Sequence, residues 1–365
     1  VEILWINHRC PRHPQAGGAE VHLLEIAKRL VKRGHEITLL SERYSGSPKE
    51  EVIDGILVKR FGGKYALHLY APYFVLKRSE DYDVIIDDIA HAVPFFSYAF
   101  TRQPVVAIVH HVHQEVLEVE VNQPLRYIIK RAERFIRHYK RIVAVSRTTR
   151  KDLVEKLKVP SERVEVIYPG VDHEKYRPGE KAERPTLLWM GRMKRYKHPD
   201  HALRVFKLVR EVVKEAEMIM VGYGEAFPEV KKLIREMKLS NIILTGRISE
   251  DEKVELLQKS WVMLCTSEME GWGMTIMEAA SCATPTVAYN VGALKETIIN
   301  GKTGFLIRYG DIEGLARSVT ILLEDENLRR EISKHALEYS YNFDWEKSTI
   351  EFEEYLSNVV KEKGS

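Results

Sequence analysis

The sequence predicts an α/β protein of two doubly wound domains in tandem. Three observations carry that expectation. At 365 residues, 44% of them hydrophobic, the chain exceeds what one hydrophobic core usually supports and can fill two. Short apolar, β-rich runs alternate with amphipathic helical stretches, the pattern of a parallel sheet covered on both faces. Near the middle, YPGVDHEKYRPGEKAERPT (168–186) is rich in Pro, Gly and charge, as a domain join is. The expected domains are therefore 1–168 and 169–344, followed by a tail, 345–365.

The elements follow in order. VEILWIN (1–7) reads as a strand and RCPRHPQAGGAE as a loop. A helix is expected from about Glu20, with Leu23, Leu24, Ala27, Leu30 and Val31 at helical spacing and Gly34 at its end. EITLLSE (36–42) completes a βαβ unit. Later strands of this half are DVIID (83–87), PVVAIV (104–109) and RIVAVS (141–146). In the second half the strands are TLLWMG (186–191), EMIMVG (217–222), IILTG (242–246), WVMLCTS (261–267) and PTVAY (285–289). A capping box, Ser249 with Glu252, marks one intervening helix. In the tail, Trp345, Thr349, Phe352, Leu356 and Val359 share one helical face and need a surface to cover it.

Net charge is only +3, so the whole chain is not a nucleic-acid binder and no such partner is expected. The halves differ, with 27 Lys and Arg against 21 Asp and Glu up to Gly170, and 29 against 32 beyond it. That excess suggests an anionic partner for the first half. Three cysteines cannot all pair, which points to a reducing, cytoplasmic setting. No run of about 18 apolar residues is long enough to span a bilayer.

Ligands of open α/β sheets bind beyond the carboxyl ends of strands, in the crevice the two domains would form, so candidates are sought there. Glu270 follows a strand, and Glu278, eight positions on, falls in the helix expected to begin near Gly273. The free amides of Gly273, Met274 and Thr275 would suit an anion. Each carboxylate can accept two hydroxyl hydrogen bonds from a sugar or ribose. Phosphate in the middle with sugars at both ends describes a nucleotide-sugar. On spacing alone, the same pair also reads as helix-end charge plus a surface acid. Arg192 and Lys197 in GRMKRYK (191–197) would offset a diphosphate beside two carboxylates and stabilise it as it leaves. The Gly17–Gly18 loop lets a ligand approach the backbone closely, although it is not G-x-G-x-x-G. In VHHVHQE (109–115), His110 leaves its strand first and is favoured over His111 and His113 as a sugar-facing imidazole. No Cys nearby completes a zinc pattern. NGKTG (300–304) lacks the preceding Gly of a P-loop, and DYD (81–83) enters a strand instead of ending one.

Taken together, the Gly17–Gly18 loop, VAVS, VIYPGVD, GRMKRYK, VGYGE, LTGRIS, EGWGMTIMEAASCATPTVAY and NGKTGFLI resemble the retaining glycosyltransferases of family 4 in order across nearly the whole chain. The resemblance implies the GT-B fold, two Rossmann-like domains facing a central cleft. It implies Glu270 beside the transferred sugar, Glu278 on the ribose, and Arg192 and Lys197 on the diphosphate. His110 would stand near the sugar's reactive face, and the backbone near Arg247 would meet the base. It further implies retained anomeric configuration, no metal or other cofactor for the chemistry, and a last helix packed back on the N-terminal domain. One departure is His198-Pro199, where the family often has Gly after the motif lysine.

The expected activity is transfer of a hexose from a UDP- or GDP-linked donor to an unidentified acceptor. Two alternatives stand beside it: a catalytically silent nucleotide-sugar-binding subunit and a GT-B-type sugar-nucleotide epimerase. In PLRYIIKRAERFIRHYKR (124–141), one continuous helix would place Leu125, Ile128, Ile129, Ala132, Phe135, Ile136 and Tyr139 on its packing face. The opposite face would carry Lys130, Arg131, Arg134, Arg137, Lys140 and Arg141, with the acid Glu133. That basic face would be either a solvated helix surface or a contact with anionic lipid, giving peripheral attachment at the inner membrane face and a lipid-linked or membrane-proximal acceptor.

Overall fold

In the computed structural model, which describes residues 1–63 and 65–362, the chain forms two compact units. One is Val1–Gly170 with Trp345–Ser365, and the other is Val171–Asp344. Residues 363–365 of the expected tail lie outside the described residues.

The first unit runs β1 (Glu2–Asn7), α1 (Gly18–Lys32), β2 (Glu36–Glu42), β3 (Glu50–Ile53), β4 (Ile56–Phe61), α2 (Leu67–Arg78), β5 (Val84–Ile89), β6 (Val105–Val109), α3 (Val116–Glu120), α4 (Leu125–Glu133), β7 (Arg141–Ala144), α5 (Arg147–Leu157) and β8 (Val164–Val166). Its sheet has the order β3-β4-β2-β1-β5-β6-β7-β8. Ile3, Leu4, Trp5 and Ile6 are all buried, without polar alternation, because β1 is covered on both faces. β1 pairs with β2 on one side and β5 on the other, so the strand order reverses there.

The second unit runs β9 (Thr186–Met190), α6 (Pro199–Val212), β10 (Glu217–Val221), α7 (Phe227–Glu236), β11 (Ile242–Gly246), α8 (Glu250–Lys259), β12 (Val262–Cys265), α9 (Met274–Ser281), β13 (Thr286–Tyr289), α10 (Leu294–Thr297), β14 (Gly304–Ile307), α11 (Ile312–Glu324) and α12 (Glu326–Ser340). The parallel order is β11-β10-β9-β12-β13-β14, and here the reversal falls at β9. The capping box stands at α8, where the Ser249 hydroxyl accepts from the Glu252 N–H and the Glu252 carboxylate from the Ser249 N–H.

The final helix, α13 (Trp345–Lys361), belongs to the first unit. Trp345, Thr349, Phe352, Leu356 and Val359 are all buried, with the Phe352 ring 5.7 Å from Trp5. Glu353 and Glu346 pair with Arg33, beyond the end of α1, and Glu353 also meets His35.

Two features depart from the sequence reading, one by omission and one by correction. The β3–β4 hairpin was not foreseen, although its turn residues are explicit. Asp54 and Gly55 both have positive φ, 49° and 82°, as a two-residue hairpin turn requires. A Cβ at Gly55 would stand 2.6 Å from Val31 Cγ1. The correction concerns 124–141, which is not one helix. α4 stops at Glu133 and a 3-10 turn follows over Arg134–His138. Ile136 and Tyr139 are buried as expected, but other positions of its faces are reassigned. Leu125, Ile128 and Phe135, expected in the core, are 53%, 59% and 47% exposed, whereas Glu133 is buried. The cause is the carboxylate's local duty: Glu133 accepts from the His113 backbone N–H (2.5 Å) and the Gln114 amide (2.6 Å), and this turns the acid inward. Lys130 is tied to Glu118; Arg131, Arg134 and Arg137 remain exposed. Among the described residues, no helix is long and apolar enough to cross a membrane.

Candidate functional site

At the carboxyl edge of the second unit's sheet, β9 and β12 deliver two loops that lace together. The Thr266 hydroxyl, just past β12, lies 2.8 Å from the carbonyls of both Lys197 and His198, and the Glu268 N–H donates to the Tyr196 carbonyl at 2.8 Å. This backbone stitching places the Lys197 ammonium against the Glu270 carboxylate. Ser267 Oγ donates to the same Glu270 oxygen at 2.7 Å, and the Ala293 N–H donates to the Glu270 carbonyl at 2.9 Å. Burial would lower the pKa of Lys197, but the Glu270 carboxylate outweighs it and raises the ammonium above its ordinary range. The loop tolerates this crowding because Gly222, after β10, has no side chain: a Cβ there would sit 1.8 Å from the Gly191 carbonyl.

Glu278 lies in α9, buried, with Lys253 Nζ 2.9 Å and 2.8 Å from its two carboxylate oxygens. Burial lowers the Lys253 pKa, but Glu278 and Glu250 overcome it and keep the ammonium charged. Tyr176 lies beneath that ammonium, ring centroid 5.2 Å away, and donates its hydroxyl to Glu250 at 2.9 Å. Lys253 was not singled out in the sequence, where it is one more charge on a helix. α9 opens at Gly273, with φ 90°, and the amides of Met274 and Thr275 fall in its first turn, where no intrahelical acceptor exists.

Arg192 is exposed on the loop after β9 and makes no ion pair with either glutamate. Arg247, just past β11, lies 5.9 Å from the exposed ring of Tyr223. The fold thus brings Lys197 to Glu270 and supplies Glu278 with its own cation, while Arg192 and Arg247 stand outside those pairs. His198, with φ 45°, occupies a left-handed position that suits Gly. Among the described residues, His198, Asp200 and His201 form the one side-chain group close enough to share a metal ion. Their imidazoles stack 4.3 Å apart at 15°, so the in-plane lone pairs do not converge, and Tyr309 and Tyr289 already bond them.

The first unit's edge is built differently. Asp88 at the end of β5 and His110 at the end of β6 meet at 2.8 Å, Oδ1 to Nε2. Asp88 is buried and its other oxygen accepts from Trp5 Nε1 (2.9 Å) and Asn7 Nδ2 (3.2 Å). His113 turns instead to Glu133, and the His111 ring lies 3.9 Å from His113, tilted by 39°. His22 packs edge-on to His110 at 5.3 Å; burial, then the neighbouring His110, pull its pKa down to about 3. Further along, His8 and His13 both face Glu42, at 3.1 and 3.4 Å. Gly17 caps α1, which starts at Gly18, two residues earlier than the apolar spacing suggests, because the Gly17 N–H donates to the Glu20 carboxylate at 2.6 Å. Sequence reading missed Asp88; the only signal was an Asp pair closing an apolar strand.

Two family descriptions match the chain. "Glycosyltransferase Family 4" covers residues 16–175, and "Glycosyl transferases group 1" covers residues 172–339. The chain is 26% identical to the N-acetyl-alpha-D-glucosaminyl L-malate synthase of Bacillus anthracis, with 96% of each chain covered. Among solved structures it is similar to sucrose-phosphate synthase from Thermosynechococcus elongatus, with TM-score 0.82, 18% identity and 98% of both chains covered. It is also similar to Anabaena HepE in complex with UDP-glucose, with TM-score 0.79, 20% identity, and 98% and 99% of the two chains covered.

Proposed function

From a chain that belongs to the GT-B glycosyltransferases of family 4 type, we propose a retaining transferase that moves a hexose from a UDP- or GDP-linked donor to an acceptor hydroxyl, with protein cations in place of a metal. The observation that carries this reading is the Lys197–Glu270 pair at the exits of β9 and β12. A fixed ammonium and a fixed carboxylate side by side suit a substrate whose diphosphate and sugar hydroxyls are neighbours. The diphosphate takes over Lys197, joined by Arg192 and the Met274–Thr275 amides. Glu270 is then released to accept hydroxyl hydrogen bonds from the sugar. Glu278 accepts from the ribose diol, and the base lies by Tyr223 and Arg247. In the first unit, His110 is the imidazole offered to a sugar hydroxyl, and the Gly17–Gly18 turn is open to phosphate oxygens. When the anomeric carbon–oxygen bond breaks, the departing phosphate gains a negative charge that Lys197 and Arg192 stabilise more in the transition state than before it. The acceptor oxygen attacks on the same face, and its proton goes to the departing phosphate oxygen. A relative bound to UDP-glucose supports the uridine reading of the donor.

The test is a thermal-shift screen of UDP-, GDP- and ADP-sugars in the presence of a chelator. One donor at about 100 times its Kd should stabilise the protein by about 2.7 kcal/mol. Nucleotide release and the anomeric configuration of the product are then followed by NMR. No shift with any donor sinks the reading; binding without nucleotide release favours a silent subunit, and an epimerised donor without acceptor favours the epimerase.

The exposed Leu125, Ile128 and Phe135, flanked by Arg131, Arg134 and Arg137, support a second element of the reading: attachment to an anionic membrane face near the acceptor. Apolar insertion would add to about 1 kcal/mol per surface cation. Ile128→Ser should reduce sedimentation with anionic vesicles. Equal binding to neutral and anionic vesicles would remove it.

A further inference from the structure

We propose that Asp88 is a positioning residue that fixes His110 as the tautomer protonated on Nε2, leaving Nδ1 as the nitrogen offered to a substrate hydroxyl. The choice of tautomer stands on geometry alone; the role of Nδ1 rests on the transferase reading above.

The argument starts from donors whose polarity cannot be exchanged. Trp5 Nε1 can only donate, and it points at Asp88 Oδ2 from 2.9 Å. Asn7 also presents its amide nitrogen to Oδ2, at 3.2 Å. Its orientation is set from the other side, because the Arg9 backbone N–H donates to Asn7 Oδ1 at 3.3 Å. Two donors therefore claim Oδ2. The remaining oxygen of an acceptor-only carboxylate faces His110 Nε2 at 2.8 Å, so that nitrogen carries the proton. The ring has little freedom to turn. The Asp88 bond holds its Nε2 end, and His22 packs edge-on against the imidazole at 5.3 Å. Nδ1 then keeps its lone pair and can accept a hydroxyl proton in a hydrogen bond.

Asp88→Asn separates this from a merely structural role. The asparagine oxygen must stay toward Trp5 and Asn7, because the reverse orientation would set an NH2 group against two donors. Its NH2 then faces His110, whose Nε2 must now accept. The proton moves to Nδ1, with the number of hydrogen bonds unchanged. An Nδ1 bearing hydrogen can only donate.

The experiment uses the full chain labelled with 15N-histidine at pH 8, above the ordinary imidazole range. Long-range proton–nitrogen spectra report the tautomer, and His110→Gln identifies the signal. The native protein should show hydrogen on Nε2 and a bare Nδ1, and Asp88→Asn the reverse. Nucleotide release from the donor found by thermal shift should fall about 100-fold or more in Asp88→Asn, with donor KM changed less than about threefold. A native spectrum with hydrogen on Nδ1 overturns the assignment, whether or not the variant folds. A variant with the reversed tautomer and native turnover overturns the role of Nδ1. If the native chain neither binds nor cleaves any sugar nucleotide, the transferase reading fails with it, while the native spectrum still decides what Asp88 does to His110.

Discussion

At the carboxyl edge of the second unit's sheet, charges largely withdrawn from water come in pairs: half-buried Lys197 with Glu270, and Lys253 with the buried Glu278. In the first unit, burial lowers the pKa of two imidazoles, His22 to about 3 and His68 to about 4, and Asp88 is a buried carboxylate held by neutral donors. Both edges satisfy the same rule, that an isolated charge is costly away from water, by different means. An edge of paired ions can exchange an internal partner for a ligand's charge with little change in net buried charge. An edge of neutral rings offers directed hydrogen bonds without a strong field. Under the proposed function, the first suits an anionic ligand and the second suits uncharged hydroxyls.

The sharpest way to break this contrast is to unpair the second edge. Lys197→Met should lower nucleotide release about 1000-fold and destabilise the protein by about 3 kcal/mol, because Glu270 is left without its cation. Adding Glu270→Gln should restore most of the stability, read from urea unfolding, but none of the activity. A double variant as unstable as the single one would mean that the pairing is not what balances this edge. On the first edge the expected effect is smaller and depends on pH. The unfolded chain protonates His22 near 6.5, whereas the folded chain does so only near 3. The unfolded state therefore binds more protons between these values. His22's contribution is complete above 6.5 and is lost as pH falls toward 3. Between pH 7 and pH 5 the native protein should lose about 2 kcal/mol more than His22→Gln does. Parallel pH profiles for the two would show that His22 is not held neutral. The smallest effect belongs to the rim of the second edge. Tyr223, 55% exposed, should contribute only base stacking, so Tyr223→Ala should raise donor KM about three- to tenfold and leave kcat unchanged. An unchanged KM would move the base elsewhere.

How much of this was legible in the sequence follows the range of the interactions involved. Strands such as Glu36–Glu42 and Ile242–Gly246 were readable because an apolar run bounded by turn residues is a local signal. Lys197 and Glu270 were readable as strand-end residues, but their contact depends on the Thr266 and Glu268 bonds that join loops about 70 positions apart. Lys253 and Asp88 were invisible for the same reason. Each looks ordinary locally and gains its role from a residue on another element. The 124–141 segment failed differently. Its periodicity was real, but Glu133 was claimed by the His113 backbone, and one buried carboxylate outweighed a helical pattern built from Leu125 and Ile128.

Because α13 supplies Trp345, Phe352 and Leu356 to the first unit, that unit cannot close its core until the whole second unit and α13 after it have been translated. The second unit, contiguous from Val171 to Asp344, is free to mature first. The half translated earliest therefore waits for the latest-translated helix to complete its core. A truncated product would then leave Trp5 and the α1 surface bare, a ready substrate for quality-control proteases.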